Sequence, residues 1–442
     1  MIMRFIGFLI GLLLLMTACQ KETTNFVALD NYTKEQQIRW NKILTKVMVE
    51  DIFTPPVCSR IYAYPHIAAY EVLATNNTSM PSFAGTLKDL KVVPTPPKDK
   101  DIYFPLASMV AFSNAAKPLV FTPEKIDDAE ANYYQEIKDL GISKSVFDNS
   151  IAYGKIVADH IINWSNQDGY LERTAMSQYV LSEEEGMWKP TPPDYMPAIE
   201  PHWNTIRPFV IKSADQFSPN TPTNFSKDKS SQFFAEAMEV VDAVKENDEE
   251  RLAIAKFWDC NPNVSHTKGH LMFFDQKISP GGHWMSIAGI ASKKKNFSNT
   301  ETARIFALTS ITLADAFISC WDEKYRSSLI RPETYINENI DPEWKPVLQT
   351  PPFPEHTSGH SVISSAAAEM LTALLGDNFA FIDSSEVDYG LPTREFTSFK
   401  NAAEEAAISR LYGGIHYRPA IEYGVAQGKK IGDYMIESLS KY

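Results

Sequence analysis

Three short stretches in the last third of the chain carry side chains that suit one tetrahedral anion. The first is Lys324-Tyr325-Arg326-Ser327-Ser328-Leu329-Ile330-Arg331-Pro332. On a continuous helix, the ammonium and the guanidinium would stand nearly two turns apart on one face. Such a pair grips an oxyanion, arginine through a fork of donors and lysine as a point charge. Arg331 also precedes a proline, where helices tend to stop, which predicts its guanidinium at an element end. The second stretch is Phe353-Pro354-Glu355-His356-Thr357-Ser358-Gly359-His360, followed by an apolar run to Leu375. Ser358 is a good N-cap, and Gly359 lets a backbone N–H come close to a ligand. A helix N-terminus carries unpaired donors and partial positive charge, so it holds anions, and His360 would sit in its first turn. The third stretch is Ser409-Arg410-Leu411-Tyr412-Gly413-Gly414-Ile415-His416. Its two glycines permit a sharp turn that aims the His416 imidazole inward, and Arg410 adds a third cation. Together the stretches predict an oxyanion site between two imidazoles, one to attack or ligate and one to pass protons.

Helices must position these residues. Strand signals are sparse, so the class is all-α. Apolar periodicity and cap residues predict helices over Lys34 to Glu50 (with Thr33 and Gln36 as a capping box), Ile61 to Ala74, Ile102 to Ala116, Pro123 to Leu140 and Lys144 to Asn166. Further helices are predicted over Ser231 to Lys245, Asp248 to Trp258, His283 to Ala291, Glu301 to Tyr325, Gly359 to Leu375, Thr397 to Tyr412 and Pro419 to Lys441. Between Gly169 and Asn224, prolines recur among Trp188, Tyr195, Trp203 and Phe209. That is too aromatic for a disordered linker and reads as an ordered, irregular excursion around a helical core. The expected division is a signal segment 1–18, a polar tether 19–32, an N-terminal helical lobe 33–225 that includes the excursion, and a catalytic helical lobe 226–442.

The chain has 442 residues, 12% of them aromatic, and a net charge of −13. It can fill a large core, and the acidity argues against a nucleic-acid partner. Arg4 followed by apolar Phe5 to Met16 is a short export signal, and Met16-Thr17-Ala18-Cys19 resembles a bacterial lipobox. That resemblance implies cleavage before Cys19, lipid on Cys19, and an exported lipoprotein of the bacterial cell envelope. Cys58, Cys260 and Cys320 do not make a disulfide framework. His266 and His270 have the spacing of a helical zinc pair, but Lys268-Gly269 between them argues for a structural or pocket-lining role. Lys293-Lys294-Lys295 reads as a solvated helix end, Glu183-Glu184-Glu185 as a solvated turn, and His283 beside Trp284 as a residue of the site entrance.

Taken jointly, Lys-x6-Arg-Pro, Ser-Gly-His and Ser-Arg-x5-His resemble the signature of the superfamily that joins vanadium-dependent haloperoxidases and type 2 phosphatidic acid phosphatases. The resemblance implies two packed four-helix bundles. It assigns Lys324, Arg331, Ser358, Gly359 and Arg410 to the equatorial oxygens of vanadate or phosphate. It makes His416 the vanadium ligand or the phosphatase nucleophile, and His360 the acid/base on the opposite side. Trp321, Pro351 and Phe353 stand where the haloperoxidases line a halide pocket, and Pro280-Gly281-Gly282-His283-Trp284 after Phe257-Trp258 is similar to bacterial secreted relatives. The implied activity is halide oxidation by hydrogen peroxide with vanadate as cofactor. The alternatives are an acid phosphatase without a cofactor, working through a phosphohistidine, and a catalytically weak anion-binding protein of the envelope. Two positions depart from the pattern. Thr357 replaces a proline, and Ala420 replaces the carboxylate expected to orient His416, which is the feature that keeps the last alternative open.

Overall fold

A computed structural model describes residues 24–442 except 263, 269 and 270. The signal segment, Cys19 and His270 lie outside the described residues. Helices α1 (Phe26–Thr33), α2 (Gln36–Glu50), α3 (Pro55–Ala74), α4 (Phe104–Ala116), α5 (Glu124–Asp139) and α6 (Lys144–Ser165) form the N-terminal half. After the excursion come α7 (Gln232–Lys245), α8 (Glu249–Phe257), the hairpin β1 (Ser265–Lys268) and β2 (Leu271–Phe274), α9 (Pro280–Lys294), α10 (Asn299–Ser327) and α11 (Pro332–Asn339). The chain ends with α12 (Gly359–Leu375), the antiparallel pair β3 (Phe381–Asp383) and β4 (Arg394–Phe396), α13 (Phe399–Tyr412) and α14 (Arg418–Ser438). The all-α class therefore holds, with two small hairpins as its described strands.

Two helices organise the packing. α3 is buried on all faces, the mark of a core helix, and packs on α4 and α6. α10 lies between α3 and α12 and so joins the two halves. It opens with a full capping box, Ser298 with Glu301. It is long and apolar enough to cross a membrane, yet 94% of its most apolar window is buried against protein, as befits a core helix. One apolar cluster runs from Leu29 to Tyr442, so the expected boundary near residue 225 is no break in the core. A smaller cluster joins α7, α11, α13 and α14 through Phe233, Tyr335, Leu411 and Ile421.

Several expectations need correction. The tether expected over 19–32 is partly folded: α1 covers Phe26–Thr33, with Leu29 buried as its apolar anchor. No capping box forms at Thr33 and Gln36, because Thr33 belongs to α1 and its hydroxyl meets that of Tyr103 at 2.9 Å. α9 begins at Pro280 rather than His283, since Ser279 caps it and proline suits the first turn; the two glycines do not break it. Lys324 and Arg331 do not share a helical face. α10 ends at Ser327, Ser328 turns the chain with φ at 44°, and Arg331 becomes the N-cap residue of α11.

The excursion is ordered, as expected, and it braces the site. Asp315 of α10, fully buried, accepts the N–H groups of Phe209, Val210 and Ile211 at 2.7, 2.7 and 2.9 Å. Trp188 N–H donates to the Ser328 carbonyl at 2.7 Å, and Ile199 N–H to that of Pro352 at 3.1 Å. A glycine stripe sets the helix beneath the site. A Cβ at Gly424 would stand 2.9 Å from Ser361 Cβ and 3.0 Å from the Ser358 carbonyl; one at Gly428 would stand 2.2 Å from the Val362 carbonyl. Only hydrogen at these positions lets α14 press against the N-terminus of α12.

Candidate active site

The end of α10 supplies the first cation. Lys324 is fully buried, and its ammonium donates to the carbonyls of Pro354 and Glu355, each at 3.1 Å, and to that of Thr357. It therefore fastens the turn before α12. Burial lowers its pKa to about 8, with the neighbouring Arg331 adding to the fall. Arg331, also fully buried, donates from Nε to the Phe353 carbonyl at 2.9 Å and from Nη1 to the Ile415 carbonyl at 2.9 Å. Both cations lie over the Phe353 ring, each 5.1 Å from its centroid, a favourable use of the aromatic face.

The start of α12 lies beside them. Ser358 caps this helix: its oxygen accepts from Ser361 N–H at 3.3 Å and from the Ser361 hydroxyl at 2.9 Å. A Cβ at Gly359 would stand 3.8 Å from Trp321 Cζ3 and 3.9 Å from Lys324 Cε, so the glycine leaves room beside the lysine. His360 follows on the first turn. Burial holds its pKa well below the usual range, helped by Arg410, so the imidazole is neutral at pH 7.

α13 ends by delivering Arg410, and the loop after it delivers His416. Arg410 is buried and donates from Nη1 to the Trp258 carbonyl at 2.7 Å. Gly414 adopts φ 76°, and Pro346 Cα would lie 3.2 Å from any Cβ there, so both the turn and the space require glycine. The turn brings the His416 imidazole in, 3% exposed. Its Nε2 lies 3.1 Å from Arg331 Nη1 and its Nδ1 lies 2.9 Å from Glu355 Oε1. These partners fix the tautomer: Nδ1–H donates to the carboxylate, and the Nε2 lone pair faces the guanidinium. Burial, then Arg331 and Lys324, hold the ring's pKa well below the usual range, which keeps that lone pair available.

Glu355 was not singled out from sequence, and it corrects the concern over Ala420. The carboxylate beside His416 comes from the turn before α12 rather than from the first turn of α14. It also accepts the Tyr417 N–H at 2.9 Å. Burial raises its pKa to about 7, opposed by Arg331 and Lys324. Ala420 is buried, and its carbonyl accepts the Ser358 N–H at 3.0 Å, so that position serves helix packing. The sequence signal for it was a glutamate inside a segment already assigned to the site, four residues before Gly359; the structure buries it fully.

One pocket gathers several of the pieces, with Lys324, Arg331 and Ser358 buried outside its lining. Trp321, Pro351, Phe353, Gly359, His360, Arg410 and His416 all line it, as does Cys260. The Trp321 and Phe353 rings pack with centroids 5.0 Å apart. Arg331 Nη2, Arg410 Nε and His360 Nε2 are buried without a hydrogen-bond partner. The two guanidinium N–H groups are donors that are costly to bury unless an acceptor joins them, and an oxyanion such as vanadate would satisfy both, while the neutral His360 ring leaves Nε2 free to take a proton. His283, expected at the entrance, is instead fully buried behind Trp258, whose ring stacks on it at 4.4 Å. His266 lies on β1, exposed, with Nε2 3.1 Å from Asp275 Oδ1. Lys293, Lys294 and Lys295 are exposed at the end of α9, as are Glu183, Glu184 and Glu185 in their turn.

Comparison with known proteins agrees with this geometry. A family model for the VCPO second helical-bundle domain matches residues 304–442, which hold all three site stretches. A bacterial vanadium-dependent iodoperoxidase is 48% identical, with a TM-score of 0.87 over 92% of this chain and 96% of that one. The holo and apo forms of a bacterial vanadium-dependent chloroperoxidase, each 16% identical, share the fold with TM-scores of 0.66 and 0.64 over 88% of this chain and 93% and 94% of theirs. None of the curated proteins matches. With nearly half the residues identical along almost the full length of both chains, this protein belongs to the vanadium-dependent haloperoxidases.

Proposed function

We propose that the protein oxidises halide with hydrogen peroxide at a vanadate held by His416, and that iodide is its preferred halide. The observation that carries the reading is one pocket lined by His416, His360 and Arg410, with Arg331 Nη1 3.1 Å from His416 Nε2 and unpaired N–H groups left on both arginines. Vanadate, when bound, supplies a Lewis-acidic centre that activates peroxide without changing its own oxidation state. His416 would ligate it through Nε2, with Glu355 keeping the proton on Nδ1. Arg331 and Arg410 would neutralise its oxygens, aided by the N-terminus of α12. Lys324 would add positive charge from the side of Gly359. His360, neutral and in the pocket, would take a proton from incoming peroxide and return it to the departing oxygen. Trp321, Pro351 and Phe353 would offer the halide an apolar, partly dehydrated approach, which costs least for iodide, the largest and least hydrated of the common halides. The likeness to an iodoperoxidase supports the same choice.

The same residues could form a phosphohistidine, but no observation favours hydrolysis over oxidation. The reading as a catalytically weak binding protein loses its motive, since Glu355 fills the role left by Ala420. The test is the vanadate-loaded protein with peroxide and iodide, bromide or chloride in turn. Triiodide should form fastest, and His416→Ala should abolish turnover. Absence of any vanadate-dependent halide oxidation would end the proposal.

We also propose export and lipidation at Cys19, supported by the short apolar segment and the small residues before that cysteine. Cys19→Ser should move the protein from the membrane fraction to the soluble fraction; unchanged partition would refute it.

A further inference from the structure

Behind the oxyanion pocket lies a second cluster, formed by Cys260 after α8, His283 in α9, and Asp383 and Glu386 at the end of β3. All four are buried, at 2%, 0%, 0% and 5% exposure. We propose that Cys260, His283 and Glu386 form a zinc site, with Asp383 as the carboxylate behind the histidine. The reading is independent of the haloperoxidase chemistry, since none of the four holds the oxyanion.

Geometry carries the proposal. Cys260 Sγ lies 3.2 Å from His283 Nδ1, His283 Nδ1 lies 3.2 Å from Glu386 Oε1, and Cys260 Sγ lies 3.7 Å from that same oxygen. Zinc bonds of about 2.0–2.3 Å at tetrahedral angles put ligand atoms about 3.3–3.6 Å apart, close to this triangle. Nδ1 faces sulfur and carboxylate at the same distance, so one ion at the centre of the triangle would bond all three atoms in place of the hydrogen bonds that link them now. The other nitrogen completes the pattern. His283 Nε2 lies 2.7 Å from Asp383 Oδ2, the arrangement in which a carboxylate orients a metal-bound histidine. Thiolate, imidazole and carboxylate together suit zinc rather than magnesium or calcium.

Cys260 also lines the oxyanion pocket, so the proposed site adjoins it. Binding would expel the Cys260 thiol proton, and any proton on His283 Nδ1, to solvent. The site would clip three distant segments together. One of them carries Trp258, whose carbonyl holds Arg410 at 2.7 Å, so the clip would stiffen the wall of the oxyanion site.

The test uses vanadate-free, full-length protein equilibrated with zinc alone, desalted and analysed by elemental mass spectrometry. The expected result is about one zinc per chain in the wild type and in His416→Ala, falling at least fivefold in Cys260→Ser and in Glu386→Gln. Cobalt in place of zinc should show a thiolate-to-metal charge-transfer band that Cys260→Ser removes. A wild-type content below about a tenth of an equivalent would overturn the site. So would undiminished binding in Glu386→Gln, or an unchanged cobalt band in Cys260→Ser. Should Cys260→Ser fail to fold, Glu386→Gln and the wild-type cobalt spectrum still decide.

Discussion

Glu355→Gln isolates what the carboxylate beside His416 does. The wild-type bond is 2.9 Å from His416 Nδ1 to Glu355 Oε1, with both groups buried. Glutamine keeps the shape and an acceptor but removes the charge. A charge-assisted hydrogen bond contributes about 1.5–3 kcal/mol and a neutral one about 0.5–1.5, so the loss is about 1–1.5 kcal/mol. Two effects on anion binding then oppose each other. Loss of a negative charge beside Lys324 and Arg331 strengthens the field that attracts any anion. Loss of the charged partner weakens His416 as a ligand, for which about 10–100-fold in metal affinity is typical. The two can be separated by comparing vanadate with phosphate, tetrahedral anions of similar size and charge. The field acts alike on both, whereas a bond to His416 Nε2 exists for vanadate alone in the resting protein. The ratio of vanadate to phosphate affinity should therefore fall about tenfold or more in Glu355→Gln. Titration calorimetry of each anion against the apoprotein measures it, with thermal melting to confirm the fold. A ratio within about twofold of wild type would refute the role given to Glu355.

Further outcomes follow from the same geometry. Gly424→Ala forces a methyl to within 2.9 Å of Ser361 Cβ, and overpacking of about 1–3 kcal/mol should exceed the helix-propensity gain of about 1 kcal/mol; denaturant unfolding should show a net loss, with weaker vanadate binding. Asp315→Asn leaves three backbone donors at 209, 210 and 211 with a neutral partner, so stability should fall by about 1–3 kcal/mol and limited proteolysis should find the excursion first. Lys324 carries its charge below pH 8 and loses it above, because burial lowers its pKa to about 8. Sulfate, whose charge is constant over this range, should therefore bind the apoprotein more weakly as pH rises past 8. In Lys324→Met that bend should vanish, and a bend of unchanged size would contradict the assignment.

Much of this was legible before any coordinates. Gly359–Leu375 was placed to the residue, because Ser358 caps the helix and Gly376 closes an unbroken apolar run. The three stretches were legible because their chemistry is local: Arg410 and His416 are separated by a turn that Gly414 makes and no other residue fits. Non-local features were not legible. The seven-residue spacing put Lys324 and Arg331 on one helical face, whereas Ser328 in a left-handed conformation and the following Pro332 turn the guanidinium off α10. The partner of His416 was sought at a fixed offset on the same segment, yet it came from a residue 61 positions earlier, brought close by the packing of α12 on α14. His283 read as a residue of the site entrance. The stack with Trp258 and the bond to Asp383, 100 positions away, bury it instead. Pairings of this kind are decided by tertiary packing, which a one-dimensional pattern does not carry.

The most direct test of the account is a crystal structure of the protein soaked with vanadate. It should show vanadium bonded to His416 Nε2, its oxygens meeting Arg331 Nη2 and Arg410 Nε, with His360 on the far side and Glu355 still on His416 Nδ1. Vanadate bound elsewhere, or bound in this pocket with no bond to His416, would contradict it.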